Sequence, residues 1–158
     1  MHRTLHFCPY LMTSFPDKQT FFDAADVLVD AGATMIECGI PFSDPSADGA
    51  YLTGINHRMA ESRRPMKYYL SCIAQLQARH PQLRICVMCY LNPIFRYGMQ
   101  HYTTYLADNG IFSILIPDLP VEEYDSFIDL IDPRIRLACI VSDNMNDDML
   151  SRCLNRAT

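Results

Sequence analysis

Two spacings of apolar residues alternate along the chain. Phe21, Ala24, Ala25, Leu28 and Val29 recur on one helical face, and Gly32 follows where a helix-ending glycine belongs, so residues 20–31 are predicted helical. The same reasoning predicts helices over 51–61, over 66–79 up to His80-Pro81, and over 99–109 with Gly110 as the stop. Two more are predicted over 121–131, with Pro120 ahead of the first turn, and over 144–153. Between them lie short apolar runs of strand character. These are 7–11, broken by Pro9; 34–38, in which Met35, Glu37 and Gly39 share one face; 84–90; 112–116; and 135–141. The almost continuous apolar run 84–90 suits a sheet covered on both faces. Ser14-Phe15-Pro16-Asp17, residues 62–65 and Asn92-Pro93 are read as turns.

One unit recurs: helix, glycine, short strand, proline, aspartate-bearing loop. Asp30-Ala31-Gly32 leading to Pro41 is echoed by Asp108-Asn109-Gly110 leading to Pro117-Asp118. Strands alternating with helices imply βαβ crossovers and a parallel sheet, hence an α/β fold. No linker or low-complexity stretch divides the units, so residues 1–158 are expected to form one domain. Periodicity alone leaves open whether the sheet is doubly wound or part of a barrel.

Chemistry concentrates after the second predicted strand. Glu37 stands near its carboxyl end, and a loop stiffened by Pro41 and Pro45 carries Asp44 and Asp48. In parallel α/β proteins that end of a strand is where ligands bind. A solvated acidic turn is the alternative, since Asp, Pro, Ser and Gly are ordinary turn residues.

Composition narrows the partners. A net charge of −5 and a pI near 5.4 argue against nucleic acid or an anionic membrane, both of which call for basic patches. No apolar run approaches the length of a transmembrane helix, and the first ten residues lack the apolar core of a secretory leader. The seven cysteines are an odd number; Cys86 and Cys89 form a C-x-x-C, but within a strand that spacing puts them on opposite faces. With no second C-x-x-C, a zinc site is not expected, and reduced thiols in a cytoplasmic protein are.

The run Ile36-Glu37-Cys38-Gly39-Ile40-Pro41-Phe42-Ser43-Asp44-Pro45, followed by Ala47-Asp48-Gly49, closely resembles the signature of tryptophan synthase α subunits. Pro9-Tyr10-Leu11, Asp30-Ala31-Gly32-Ala33, Tyr90-Leu91-Asn92-Pro93 and Asp118-Leu119-Pro120-Val121-Glu122-Glu123 keep that family's order and spacing. The resemblance implies a (β/α)8 TIM barrel, of which this chain holds about the first five βα units, since a full barrel takes about 250 residues. It also implies retro-aldol cleavage of indole-3-glycerol phosphate to indole and glyceraldehyde 3-phosphate, without cofactor or metal, and a β subunit as partner in an α2β2 heterotetramer.

By resemblance, Glu37 matches the catalytic glutamate and Asp48 the aspartate that accepts the indole N–H. Tyr90 matches a tyrosine near the substrate, and Asp44, Pro45, Asn92, Asp118 and Pro120 match loop positions that support the site or face the β subunit. Each has a plainer reading. Glu37 is then a rim glutamate held by amides, Asp48 a cap of the next helix, Tyr90 a rim aromatic packed on Leu91, and the others turn residues. His57, His80 and His101 have no motif around them and are expected to be surface residues of helices or helix ends. Cys38, Ser46, Ala50, Thr53 and Ser14 depart from the family's usual residues, Ser14 standing where a glycine is usual. The glycine-rich phosphate-binding loops of the family have no counterpart here, which motivates a second reading, a catalytically inactive half-barrel relic that binds a β subunit.

Overall fold

The computed structural model describes residues 7–156. Five parallel strands, β1 (Tyr10–Met12), β2 (Met35–Gly39), β3 (Arg84–Met88), β4 (Ser113–Leu115) and β5 (Arg136–Ala138), form one sheet in the order β1-β2-β3-β4-β5. That order resolves the alternative left open by periodicity. A doubly wound sheet reverses direction at a switch point, whereas here each strand pairs with its successor, as in an arc of a barrel. Right-handed crossovers between consecutive neighbours put the connecting helices on one face.

The helices are α1 (Lys18–Asp30), α2 (Ala50–Glu61), α3 (Met66–Arg79), α4 (Leu91–Tyr97), α5 (Met99–Asp108), α6 (Tyr124–Ile128) and α7 (Asp147–Arg156). Asp17 starts α1 by accepting from the Thr20 amide and hydroxyl at 2.9 and 2.8 Å. Tyr69, Leu70, Cys72, Ile73 and Leu76 give α3 its buried face. Those side chains share one buried cluster with Ile36, Cys38, Ile85, Val87 and Ile114, all fully buried and belonging to the alternate positions of the three central strands. The opposite alternation faces the inside of the arc, where Met35 and Glu37 are only half-buried.

Several expectations are corrected. Asn92-Pro93 is no turn but lies in the first turn of α4, where proline's missing N–H forfeits no helical bond. The run 121–131 is a 3-10 turn at Val121–Glu123 followed by the five-residue α6, and 135–141 pairs only over β5. The first strand begins at Tyr10, since Pro9 precedes the ladder and contributes only its carbonyl, to the Glu37 amide at 2.9 Å. His80 stands at a helix end as expected, closing α3, and it also meets Asp26 at 2.7 Å, beside the Arg79–Asp26 ion pair at 2.6 Å. Ser14 has φ 65°, the left-handed backbone that explains the family's glycine; its hydroxyl bonds that of Tyr68 at 2.8 Å. All seven cysteines are free thiols, five of them buried.

β1 and β5 are edges, and the inside of the arc carries a cavity of about 380 Å³ bordered by Cys8, Glu37, Cys86, Leu115 and Ile140. Unpaired strand edges beside an apolar concave face invite pairing with another chain. Leaving several hundred Å² of such surface wet forfeits many kcal/mol at about 25 cal/mol per Å², against a total domain stability of about 5–15 kcal/mol. Residues 1–158 on their own are therefore expected to self-associate and to melt without a sharp transition. Size-exclusion chromatography with light scattering and calorimetry would check this, and a monodisperse, cooperatively melting monomer would contradict it.

Candidate active site

The parallel register sets Glu37 opposite Tyr10 on β1 and Cys86 on β3, so its carboxyl leaves the sheet near the carboxyl ends of the strands, on the inner side. Strand hydrogen bonding continues past the ladders into the loops. Thr13 donates to Gly39 at 2.9 Å, Ile40 to Met88 at 2.8 Å and Cys89 to Leu115 at 3.0 Å. The roots of the loops are therefore as firmly held as the strands, and what they carry is held with them.

Glu37 is half-buried, and burial first, then the charge of Asp48, holds its carboxyl above the usual glutamate range. Asp48 does not cap α2: the cap position is Gly49, with no side-chain bond. Its carboxylate instead accepts from Asn56 Nδ2 at 3.0 Å. Tyr90 is 1% exposed; its ring lies tilted against Phe42 with centroids 5.2 Å apart, and its hydroxyl accepts from the Ala47 amide at 3.0 Å. Burial foremost, with the charge of Asp48 adding to it and the Ala47 amide opposing it, pushes the Tyr90 hydroxyl up to about 12. Glu37, Asp48 and Tyr90 are thus brought into one electrostatic neighbourhood.

Two members were missed by sequence reasoning. Tyr10 lies against Gly39 so closely that any side chain there would strike its hydroxyl and ring. Burial, then Asp48 and Glu37, drive its ionisation far above the usual tyrosine range. Its signal was a phenol paired across from Glu37. Asn56, 1% exposed, sits on the apolar face of α2 with Leu52, Ile55 and Met59. A polar amide on a core face was the signal there, and it went unread.

The loop residues stay outside the cluster. Asp44 is exposed and bonded by the adjacent Ser43 hydroxyl at 2.5 Å, while Pro45 is buried and its carbonyl takes the Asp48 amide at 3.1 Å. Asn92 and Pro93 border a cavity of about 720 Å³ with Ser43, Arg63, Arg64 and Arg96. Although it is the larger cavity, Glu37 does not line it; Glu37 lines the smaller one, and neither cavity is bordered by Asp48 or Tyr90. Asp118 accepts from the Leu91 amide at 2.8 Å, tying the loop after β4 to the start of α4. Pro120 is exposed ahead of the 3-10 turn.

A raised carboxyl is a stability statement. Relative to a neutral glutamine, Glu37 costs nothing in its protonated form and destabilises the fold once ionised in its half-buried site. The stability difference between wild type and Glu37→Gln should therefore be constant below the ordinary glutamate value of 4.5 and shift in favour of the variant as pH rises through the Glu37 folded-state value. Denaturant titrations at acid and neutral pH would measure it. A difference that does not change with pH would contradict the assignment.

The sequence profile of the tryptophan synthase alpha chain family matches residues 2–158. The tryptophan synthase alpha chain of Nitratidesulfovibrio vulgaris is 39% identical over 117 residues, covering 73% of this chain and 44% of that one. That of Roseiflexus castenholzii is 39% identical over 115 residues, again 73% of this chain and 44% of the relative. Among solved structures, the tryptophan synthase a2b2 complex from Pyrococcus furiosus matches at 29% identity and TM-score 0.87, over 97% of this chain and 62% of the other. Tryptophan synthase subunit alpha from Legionella pneumophila, at 24% identity, shares the fold at TM-score 0.90 over 96% and 58%. The chain spans less than half the length of the curated relatives it matches. With the consecutive parallel sheet, these matches make it an arc of a TIM barrel, and the chain belongs to the tryptophan synthase alpha chain family.

Proposed function

We propose that the chain carries the acid–base residues of a carbon–carbon lyase. In its working form it cleaves indole-3-glycerol phosphate to indole and glyceraldehyde 3-phosphate in tryptophan biosynthesis. The observation that carries this reading is a half-buried glutamate, raised above its usual range, beside a second carboxylate at the carboxyl ends of barrel strands. Two carboxyl groups in unequal environments divide acid from base.

The reaction breaks the bond between indole C3 and the adjacent hydroxyl-bearing carbon. A proton is added to C3, leaving positive charge on the ring nitrogen. The hydroxyl then gives up its proton, a carbonyl forms, and the carbon–carbon electron pair returns to the ring. One proton enters and one leaves, so Glu37 can serve in turn as acid and base. Its raised range lets it hold the first proton closer to neutrality. Asp48, fixed by Asn56, accepts from the indole N–H and stabilises the positive charge as it develops, more in the transition state than in the ground state. Tyr90 borders the substrate. No cofactor or metal has a step to perform.

Residues 1–158 act in this reading as one partial barrel domain. Asp44, Pro45, Asn92, Asp118 and Pro120 support the loops or face a β subunit in an α2β2 assembly, which is supported by the likeness to the Pyrococcus furiosus a2b2 complex. A cytoplasmic location fits seven free thiols. Among the described residues no helix is long and apolar enough to cross a membrane.

In the full chain as the cell makes it, with its β subunit, Glu37→Gln should lower indole release by about 10²-fold or more while substrate still binds. Near-full turnover would refute the role. Asp48→Asn should lower turnover by about 10²-fold and leave binding of glyceraldehyde 3-phosphate nearly unchanged. Lost affinity for that product with turnover intact would move Asp48 to the phosphate end.

A further inference from the structure

The loop that delivers Asp48 has few anchors of its own. Asp44, its neighbours Ser43 and Ser46, and Ala47 are exposed, and the internal bonds are short-range turns, Ser46 to Asp44 at 2.9 Å and Asp48 to Pro45 at 3.1 Å. Its ends, however, meet at one side chain. Asn56 Oδ1 accepts from the Phe42 amide at 2.9 Å, where the loop leaves β2, and Asn56 Nδ2 donates to Asp48 at 3.0 Å, where it enters α2. The same Nδ2 donates to the Leu52 carbonyl at 3.1 Å, which fixes the amide against its own helix.

This arrangement fixes the amide's orientation without ambiguity. An amide N–H can only donate, so the atom facing Phe42 is the oxygen. A carboxylate can only accept, so the atom facing Asp48 is the nitrogen. Of the side chains of this size, only asparagine offers an acceptor on one side and two donors on the other. Leucine fills the volume but leaves the Phe42 amide without its partner. Aspartate keeps that acceptor but presents a charge to Asp48. At 1% exposure water cannot substitute for either bond.

We propose that Asn56 is a positioning residue, a clamp that joins the two ends of the acidic loop and aims the Asp48 carboxylate into the site. The catalytic consequence rests on the lyase reading given above, whereas the clamp itself does not. A misplacement of about 1 Å in a catalytic group can cost about 10²-fold in rate. The clamp is therefore expected to act on kcat and to leave KM for indole-3-glycerol phosphate within about threefold, since Asn56 touches no substrate.

The test uses the full chain with its β subunit and two variants. Asn56→Leu breaks both bonds. It should lower kcat by about 10- to 100-fold and speed hydrogen exchange at the Phe42 and Asp48 amides, with the Ile85 and Val87 amides in the sheet still protected. Asn56→Asp keeps the acceptor, so Phe42 stays protected, but it sets a second carboxylate against Asp48. Its kcat should fall near neutral pH and recover part of the loss as pH is lowered and the pair comes to share one proton, which restores a donor toward Asp48. Glu37, Tyr10 and Tyr90 are the other titratable groups around Asp48, and they are common to variant and wild type. The acid recovery is therefore read as the variant-to-wild-type ratio at each pH.

Unchanged exchange at Phe42 and Asp48 in Asn56→Leu, or faster exchange there with kcat within twofold of wild type, would overturn the proposal. If Asn56→Leu fails to fold, the isosteric Asn56→Asp decides alone, and a ratio that does not rise in acid overturns it. A wild-type chain that releases no indole would sink the lyase reading. The exchange rates would then decide the clamp by themselves.

Discussion

The pairing of β2 with β3 is the constraint from which the rest of the structure is measured. Met35 through Gly39 lie parallel to Arg84 through Met88 with every residue matched, the longest ladder in the sheet. Side-chain alternation then leaves no freedom: Ile36, Cys38, Ile85 and Val87 go to the helices, and Glu37 and Cys86 go to the inside of the arc. A slip of one residue would bury the Glu37 charge under α3 and turn Ile36 toward the cavity, so core and site are specified by the same register. At the other end of the strands, Arg84 of β3 and Arg136 of β5 each lie 5.1 Å from the ring of Phe112, the residue just before β4.

Above the sheet, the loops are laced to one another by side chains accepting or donating across chain segments. Asn56 joins the ends of the loop after β2, the Tyr90 hydroxyl takes the Ala47 amide, and Asp118 takes the Leu91 amide. Three of these bonds satisfy a main-chain N–H, those of Phe42, Ala47 and Leu91, and together with the Asn56–Asp48 bond they hold the loops in place. The arrangement that satisfies the backbone also sets Asp48 close enough to raise Glu37. Structure and electrostatics are here two consequences of one network.

Much of this was legible in the chain. Helical spacing located α1, α3 and α5 to within a residue or two, because each buries a full apolar stripe. The strand with Glu37 was legible as a short apolar run broken by Gly39 and Pro41. Reading failed where local signals conflicted. Asn92-Pro93 carries turn chemistry, yet proline in a first helical turn is equally favoured, and tertiary contact decided for α4. The apolar run 135–141 continued past Ala138, but residues 140–143 are exposed because no neighbouring strand pairs with them there. Glu37 and Asp48 could be found from a motif. Asn56 and Tyr10 could not, because their importance lies in what the fold brings opposite them.

The account stands on the claim that Glu37 is tuned by burial and by its neighbour. A ¹³C NMR titration of the Glu37 carboxyl, in the wild-type protein and in Asp48→Asn, reads that claim directly. The account predicts a midpoint above the 4.5 of an ordinary glutamate in the wild type. In the variant the midpoint should move down yet stay above that value, because burial is the larger cause. A midpoint at or below 4.5, or one indifferent to Asp48, would contradict the account.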